Sequence, residues 1–532
     1  KKFQLGYSTS TKDAFAKEAL RKGYQKEFLL KTGLCYEKED GSLRDRFWGR
    51  VIFPWFNISG KILGFGGRVL DSRTKGVVQK YVNSPESEIY SKRKELYGIY
   101  QAKSAIVKND CVYMVEGYTD VIAMHQCGLE NVVANSGTAL SEEQIRLLHR
   151  FTSNITLLYD GDEAGIKASI RSTDMLLAEG MNVKVLLLPD GDDPDSFARK
   201  HNATEFRQYI QDNEENFIRF KTNLLLKDTK NDPIKRASLI ADMAHSIGLI
   251  PNEIIRYACL KECASILNVD EQIIQNEIKK VVLQRKDEYL EKRKKEQEEA
   301  SKINAIQSAP ESNPIPDDGL IPPPPFPPME EVYEPARESY LPQTGWEKLP
   351  FYAKEKELIK TLVRYGEKIV CYIAGEEEEE IPITVTEFIA ADLEQDNLLF
   401  HNPVHRNLLQ EAQAHLNDAD FSTERYFLTH PNPTISKMAA EMISDQHRLS
   451  KSNEQMIVKD EERLHELIPH LLIDFKLAIL EEDRKQTMQQ LGLPEVLNNQ
   501  QKTKEVMEHY KKLTDTLKEL AKRAGDRVIL KA

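Results

Sequence analysis

At 532 residues the chain is long enough for several domains with sizeable cores. Its formal charge of -12 argues against a uniformly basic nucleic-acid binder, but the charge is unevenly placed. Residues 1–100 hold 20 Lys and Arg against 11 Asp and Glu, a surplus of +9, while the remaining residues hold 53 against 74, or -21. A basic front and an acidic rear point to separate jobs, because local potential steers a partner more than the global sum does. The six cysteines (Cys35, Cys111, Cys127, Cys259, Cys263 and Cys371) form no CxxC pair and no spacing typical of a zinc site or a secreted disulfide framework. A reduced, cytoplasmic protein is expected, with no membrane partner, since no apolar run reaches the roughly 18–20 residues that span a bilayer and no signal peptide is recognisable.

In chain order, residues 1–105 alternate basic helical pieces with short strands such as VIFPWF and GKILGFGGRVL. Residues 106–204 show a clearer rhythm. Strand-like CVYMV, NVVANS, ITLLY and VKVLLL are separated by helical TDVIAMHQCGL, SEEQIRLLHRF and EAGIKASIRSTDMLLAEG, which predicts a compact α/β domain with about four parallel strands. Residues 205–300 read as helical throughout and end in the highly charged NEIKKVVLQRKDEYLEKRKKEQEEA. Residues 301–345 are a proline-rich linker, a composition that forbids a packed core and favours extended chain. Residues 346–532 are acidic and read as an all-α domain; GEEEEE at 375–380 is expected to be a solvated loop, because adjacent carboxylates point apart and repel.

The chemistry concentrates where strands end. ITLLYDGDEAG places Asp160 and Asp162 directly after an apolar, β-rich run of the kind found inside parallel sheets. Val112–Val115 runs into Glu116-Gly117-Tyr118-Thr119-Asp120, so Glu116 emerges at the same type of strand end; Gly117 permits a tight turn, and Thr119 or Asp120 suits a helix cap. The fourth strand runs into LLLPDGDDPDS, with Asp190, Asp192, Asp193 and Asp195. Open α/β folds place ligands at the carboxyl ends of their strands. Three ends thus deliver acids to one face, and positions i and i+2 of an extended loop lie on one side, so Asp160 with Asp162, and Asp193 with Asp195, can each share a metal neighbourhood. Clustered carboxylates repel and raise one another's pKa unless a cation holds them. Hard oxygen ligands suit Mg²⁺, which keeps part of its water shell and binds substrate phosphates. As a solvated turn, a single D-x-D would need no further account; Glu116 with two such pairs in register calls for one.

VEGYTDVIA, LLYDGDEAG and DGDDPD together resemble the Toprim domain, the metal-binding fold shared by topoisomerases and primases. FPWFNISGKILGFGGRVL, QKYVNSPESEIYSKRKELYGIYQA and ANSGTALSEEQI narrow the resemblance to the catalytic core of bacterial DNA primases of the DnaG type. It spans most of residues 1–200, weakens to about 300, and is loose beyond the linker. The fold it implies is an α/β Toprim core with an N-terminal basic α+β subdomain, followed by helical regions. It also implies that Glu116 is the central acid, Asp160 and Asp162 the principal metal ligands, and Asp193 and Asp195 the second acidic pair. Mg²⁺ is the implied cofactor, with Mn²⁺ as a substitute. Lys80 in QKYVNSPE and Lys92 in SKRKELYG become basic active-site residues, and Arg68 in GFGGR a nucleic-acid contact. Electrostatics gives these cations a purpose, since acids alone would repel both a template strand and a nucleoside triphosphate. Asn83, Ser84 and Pro85 are expected to shape a turn, and Gly66 and Gly67 to admit a close backbone approach.

The implied reaction is RNA primer synthesis on a single-stranded DNA template from ribonucleoside triphosphates, at the replication fork. A Toprim topoisomerase or nuclease is the alternative on the acids alone; the primase-like basic segment disfavours both. Primases of this family carry an N-terminal zinc-binding domain. No such Cys/His cluster occurs here, and the sequence begins inside the resembling core, so an N-terminal truncation is expected, with zinc confined to the missing part. The layout also implies a replicative helicase as partner of residues 346–532, with no contact residues assigned.

Overall fold

The structure, a computed structural model, describes residues 1–70, 79–135, 140–159, 173–189, 192–227, 232–287, 351–374, 380–418, 421–443, 460–491, 496 and 499–524. The chain divides into two compact bodies, Lys1–Leu290 with Arg425–Glu441, and Glu291–Glu424 with Met442–Ala532.

The first body is built on two principal sheets. β1 (Gly6–Ser8), β4 (Arg50–Phe56), β5 (Ile62–Val69) and β6 (Tyr81–Asn83) form an antiparallel sheet in that order, beside a small hairpin of β2 (Cys35–Glu37) and β3 (Leu43–Asp45). The second sheet is made of β7 (Val112–Val115), β8 (Val132–Ala134), β9 (Asn154–Tyr159) and β10 (Asn182–Leu187), all parallel, with β11 (Glu215–Asn216) at one edge, in the order β11-β10-β9-β7-β8. Parallel strands joined by helical crossovers are covered on both faces, and their residues are accordingly apolar: Val112, Val132, Val133, Ala134, Ile155, Leu158 and Leu186 are all buried. The four expected parallel strands are present. One strand was not expected: β11 (Glu215–Asn216) pairs antiparallel with Lys184 and Val185 of β10, interrupting the otherwise helical run after residue 205. Two exposed polar residues carry no periodicity, so only the unpaired edge of β10 explains why they are extended.

Register sets the functional geometry. Val115 lies opposite Ala134, Met114 opposite Leu157, and Leu187 opposite Tyr159. The carboxyl ends of the four parallel strands therefore share one edge. A single core joins this sheet to the antiparallel one: Phe53, Trp55, Tyr90, Tyr97 and Tyr118 belong to the same buried cluster as Val121, Met124, Leu158 and Leu186. Within that cluster Trp55 meets Tyr90 and Tyr97 edge-on at centroid distances of 5.5 and 5.7 Å.

The second body is largely helical, with helices Tyr352–Tyr365, Val385–Gln395, Pro403–His415, Leu464–Leu491 and Gln500–Ala524. The all-α expectation needs one correction: β12 (Ile369–Ala374) and β13 (Glu380–Thr384) pair antiparallel. The β-rich IVCYIA and EIPIT flank the glutamate run, and two such segments close enough in sequence pair more readily than either joins a helix. Of the GEEEEE stretch, 375–379 lie outside the described residues. No described helix is long and apolar enough to cross a membrane.

Glu355 is the polar anchor of this body. Its carboxylate is 1 % exposed and accepts from the His401 and Asn402 amides (2.9 and 3.0 Å) and from His405 Nδ1 (2.7 Å). Burial raises this carboxyl; the bonds from His405 and the two amides outweigh that and hold it below the usual range. Its stabilising contribution is complete above the ordinary carboxylate pKa and disappears as pH falls through the lower folded value. Glu355→Ala strands two amides and a buried imidazole. It should destabilise the helices Tyr352–Tyr365 and Pro403–His415 by roughly 3–5 kcal/mol, read as lost amide-exchange protection in the full chain at neutral pH; unchanged protection would refute the anchoring role.

Candidate active site

Glu116 leaves the end of β7 exposed, at a bend before the helix Tyr118–Gln126. Gly117 is the N-cap residue in extended backbone, and Asp120 reaches back so that its Oδ2 accepts from Gly117 N at 3.0 Å. Asp120 therefore meets the capping expectation and keeps its carboxylate at the helix start, where the macrodipole favours it.

β10 ends at Leu187, and the acids after it have structural duties of their own. Asp193 is the N-cap of the helix Pro194–Lys200, with Oδ1 accepting from Ser196 N at 2.7 Å. Asp195 lies in the first turn and pairs with Arg199 through both oxygens, at 3.0 and 2.7 Å. Asp192 accepts from Lys200 Nζ (2.5 Å) and Ser196 Oγ (2.9 Å), and these two bonds hold its carboxyl below the usual range. The D-x-D spacing thus combines a capping aspartate with a helical one, in place of two equivalent loop ligands. β9 ends at Tyr159; Asp160 and Asp162 lie outside the described residues. Among the described residues, no three His, Cys, Asp or Glu side chains form a metal-binding group.

The structure brings two of the three named cations together. Arg68 on β5 is the register partner of Tyr81 on β6, and its guanidinium lies 5.4 Å from that ring; the Lys80 ammonium lies 5.8 Å from the same ring. These separations are within cation–π range. Lys92 belongs to a separate loop. Its amide donates to Glu86 Oε1 at 2.8 Å, and its carbonyl accepts from Gln144 Nε2 at 3.0 Å. Gln144 is fully buried on the helix Glu142–His149 and also donates to the Glu95 carbonyl at 2.8 Å, which pins the SKRKELYG loop to the parallel-sheet layer.

Three positioning side chains escape a reading of the sequence. Gln144 is one. Arg50, 5 % exposed, donates to the carbonyls of Gln79 (2.7 Å) and Lys80 (3.1 Å) and so fixes the chain that enters β6. Tyr118 is the third: its hydroxyl donates to Asn83 Oδ1. Asn83, expected in a turn, is instead the last residue of β6, and Ser84 prolongs the pairing, its amide donating to the Phe65 carbonyl at 2.8 Å. The expected close approach at Gly66 and Gly67 has a definite form. A Cβ on Gly66 would lie 2.8 Å from Tyr118, and one on Gly67 would lie 2.8 Å from Phe47 and 2.9 Å from Arg50. A GG pair flanked by strand residues signals such contacts, but it does not name the ring that makes them.

The sequence comparisons agree with this architecture. Residues 1–103 match the family described as DNA primase catalytic core, N-terminal domain, and residues 113–198 match the Toprim-like family. A DNA primase of Staphylococcus aureus (strain COL) is 36 % identical over 259 residues, covering 48 % of this chain and 43 % of that protein. The DNA primase of Staphylococcus epidermidis is 33 % identical over 279 residues, covering 52 % and 46 %. Residues 1–198 are homologous to the catalytic core of bacterial DnaG-type primases. A DNA primase domain from Pseudomonas aeruginosa is 33 % identical with a TM-score of 0.47, covering 53 % of this chain and 86 % of that domain. The chain spans less than half the length of the curated primases it matches. Residues 341–528 match a separate family described as a domain of unknown function, DUF8430.

One titrating group in the primase-like core is poised near neutrality. Burial pushes the Glu95 carboxyl up to about 7, against the opposing attraction of Lys94. A carboxyl raised on folding weakens the folded state as pH climbs from its unfolded value to its folded one. Glu95→Gln removes that dependence, so its gain in thermal midpoint over the parent should grow between about pH 4.5 and 7 and level off above. A pH-independent difference would show that Glu95 is not buried as a neutral acid.

Proposed function

We propose that the chain makes RNA primers on single-stranded DNA from ribonucleoside triphosphates, a 3′-hydroxyl attacking the α-phosphate of the incoming nucleotide and releasing pyrophosphate. The observation that carries this reading is the parallel register of β7, β9 and β10, whose carboxyl ends share one edge, with Glu116 directly after β7 and the helix start at Asp193 following β10 in the chain, in a core homologous to DnaG-type primases. The same body carries Arg68 on β5 and Lys80 immediately before β6, both over the Tyr81 ring.

The donor set consists of carboxylates alone, without sulfur or imidazole, and so fits a hard cation such as Mg²⁺, with Mn²⁺ as a substitute. Glu116, Asp160, Asp162, Asp193 and Asp195 would hold it. When bound, the ion supplies Lewis acidity for the hydroxyl and neutralises charge on the phosphate and leaving group. The cations of this chain do the remaining electrostatic work: Lys80 and Lys92 hold the triphosphate and template phosphates, and Arg68 contacts the nucleic acid. Glu116 is the central acid of the set. Exposed at its strand end, it would hold the ion directly or through water, or serve as a base.

Magnesium-dependent incorporation of labelled ribonucleotides on single-stranded DNA tests the reading; an inactive full chain would refute it. Asp160→Asn, Asp162→Asn and Glu116→Gln should each lower turnover by about two orders of magnitude, the scale of losing one stabiliser of developing charge, with the fold and DNA binding retained. Near-normal turnover by Asp160→Asn at limiting Mg²⁺ would remove that residue from the site. Lys80→Ala and Lys92→Ala should weaken oligonucleotide or nucleotide use, and each phosphate contact removed should flatten the logarithmic salt dependence of single-strand binding by about 0.7.

The five-part division of the chain at residues 105, 204, 300 and 345 belongs to the same proposal, as does a cytoplasmic site of action at the replication fork. The layout of an acidic, largely helical body beyond a proline-rich linker supports a replicative helicase as its partner. Calorimetry of the full chain with the cognate helicase should give a dissociation constant of tens of micromolar or tighter, and absence of heat at that concentration would retire the partner.

A further inference from the structure

We propose that Tyr118 is a positioning residue that holds the cation-bearing strands against the acid-bearing strand end, through its hydroxyl bond to Asn83. The proposal rests on the primer-synthesis reading for what the two groups do, and on geometry for how they are joined. Tyr118 is the first residue of the helix Tyr118–Gln126, two residues after Glu116, and is 4 % exposed. Its ring is packed by Phe53, stacked at 5.1 Å, by Tyr97 at 4.9 Å and by Trp55 edge-on at 6.0 Å. It also meets Tyr81 edge-on at 6.2 Å, the ring that carries Arg68 and Lys80.

The antiparallel register makes this contact specific. Gly66 is paired with Asn83, and Arg68 with Tyr81. Residues two apart on a strand share a face, so Gly66 and Arg68 lie on one face of β5, and Tyr81 and Asn83 on the matching face of β6. A Cβ on Gly66 would meet the Tyr118 ring and hydroxyl, which identifies that face as the one turned to Tyr118. Phe47 and Arg50, by contrast, crowd the position a Cβ would take on Gly67, on the opposite face. The hydroxyl thus binds Asn83 of one register pair, and the next pair on the same face joins Arg68 to Tyr81, the ring over which Lys80, just before β6, also lies. Ring packing alone leaves the strands free to slide by a fraction of an ångström. A directed hydrogen bond to Asn83 at the end of β6 removes that freedom. Catalytic geometry is sensitive on this scale, since a misplacement of about 1 Å can lower a rate about 100-fold.

Tyr118→Phe keeps the ring and removes only the hydroxyl; Asn83→Ala removes the other partner. In magnesium-dependent ribonucleotide incorporation, both should lower kcat by about 10- to 100-fold with little change in KM or thermal midpoint. The second measurement is a double-mutant cycle with Lys80→Ala. If Tyr118 acts by placing that strand, its loss and the loss of Lys80 overlap, so Tyr118→Phe combined with Lys80→Ala is little worse than the more damaging single variant. Additive losses, or parental kcat in Tyr118→Phe, would overturn the proposal. A wild-type chain without incorporation would instead sink the primer-synthesis reading, and the same cycle read on affinity for a labelled single-stranded oligonucleotide would still decide the positioning role: coupling supports it and additivity refutes it.

Discussion

Parallel pairing of β7, β9 and β10 is the constraint from which the site follows. A parallel ladder turns every strand the same way, so whatever residue type follows each apolar run is delivered to one edge. In sequence, acids follow all three strands; among the described residues, Glu116 follows β7, and Asp192, Asp193 and Asp195 lie beyond β10. Such an edge is electrostatically unfavourable on its own, and the chain offsets part of that cost locally. Asp192 has Lys200, Asp195 has Arg199, and Asp193 accepts from the first-turn amide of Ser196. Each of these partners comes from the helix Pro194–Lys200 itself, so the compensation arises locally rather than from a distant element. In the proposed reaction, a phosphate-bearing substrate and a divalent cation would meet carboxylates whose lone pairs are partly committed to an arginine or lysine.

Among the described residues, aromatic packing binds the antiparallel sheet to the parallel one. Phe53, Trp55, Tyr90, Tyr97 and Tyr118 form a continuous buried cluster with the apolar residues of the parallel sheet and its helices. Large rings stabilise by area and also by defined edge-on and stacked geometry, so the two sheets are fixed in orientation as well as in contact. Glycines at 64 and 66 make the fit possible: a Cβ there would lie 3.0 Å from Tyr90 and 2.8 Å from Tyr118. The GFGGR segment therefore works by omission, since the backbone of β5 must be bare where the rings lie over it.

Much of this was legible in the sequence, for identifiable reasons. CVYMV, ITLLY and VKVLLL are apolar runs too short for helices, and each is followed by turn-forming acids; all three are strands, as expected. β11 was not legible, because two polar residues on a sheet edge show no period. The β12–β13 hairpin was obscured by the glutamate run between its strands, which drew attention to solvation rather than pairing. In the site, the acids announced themselves by spacing, but DDPDS encodes a helix cap as readily as a metal pair, and Asp193 fills the cap. The contributions of Arg50, Gln144 and Tyr118 depend on carbonyls and side chains 29 to 52 residues away, as with Gln144 and the Lys92 carbonyl. No local pattern carries that information.

Charge placement reconciles an acidic protein with the polyanionic substrate proposed for it. The basic surplus of residues 1–100 is partly neutralised within its own surface: Lys17 pairs with Asp13, Arg21 with Glu18, Lys31 with Glu27 and Lys26 with Glu37. Such exposed pairs add little stability, but they subtract from the field available to a phosphate. Arg68 and Lys80 differ, since their contacts among the described residues are to an aromatic ring rather than to a carboxylate. A cation over a ring keeps its full charge and its outward hydrogen-bond donors. With screening over about 8 Å at physiological salt, such local cations decide whether phosphate is attracted, and the -12 of the whole chain does not. The acidic residues beyond position 100 thus need not oppose the proposed nucleic-acid binding, provided the strand enters where Arg68 on β5 and Lys80 just before β6 lie.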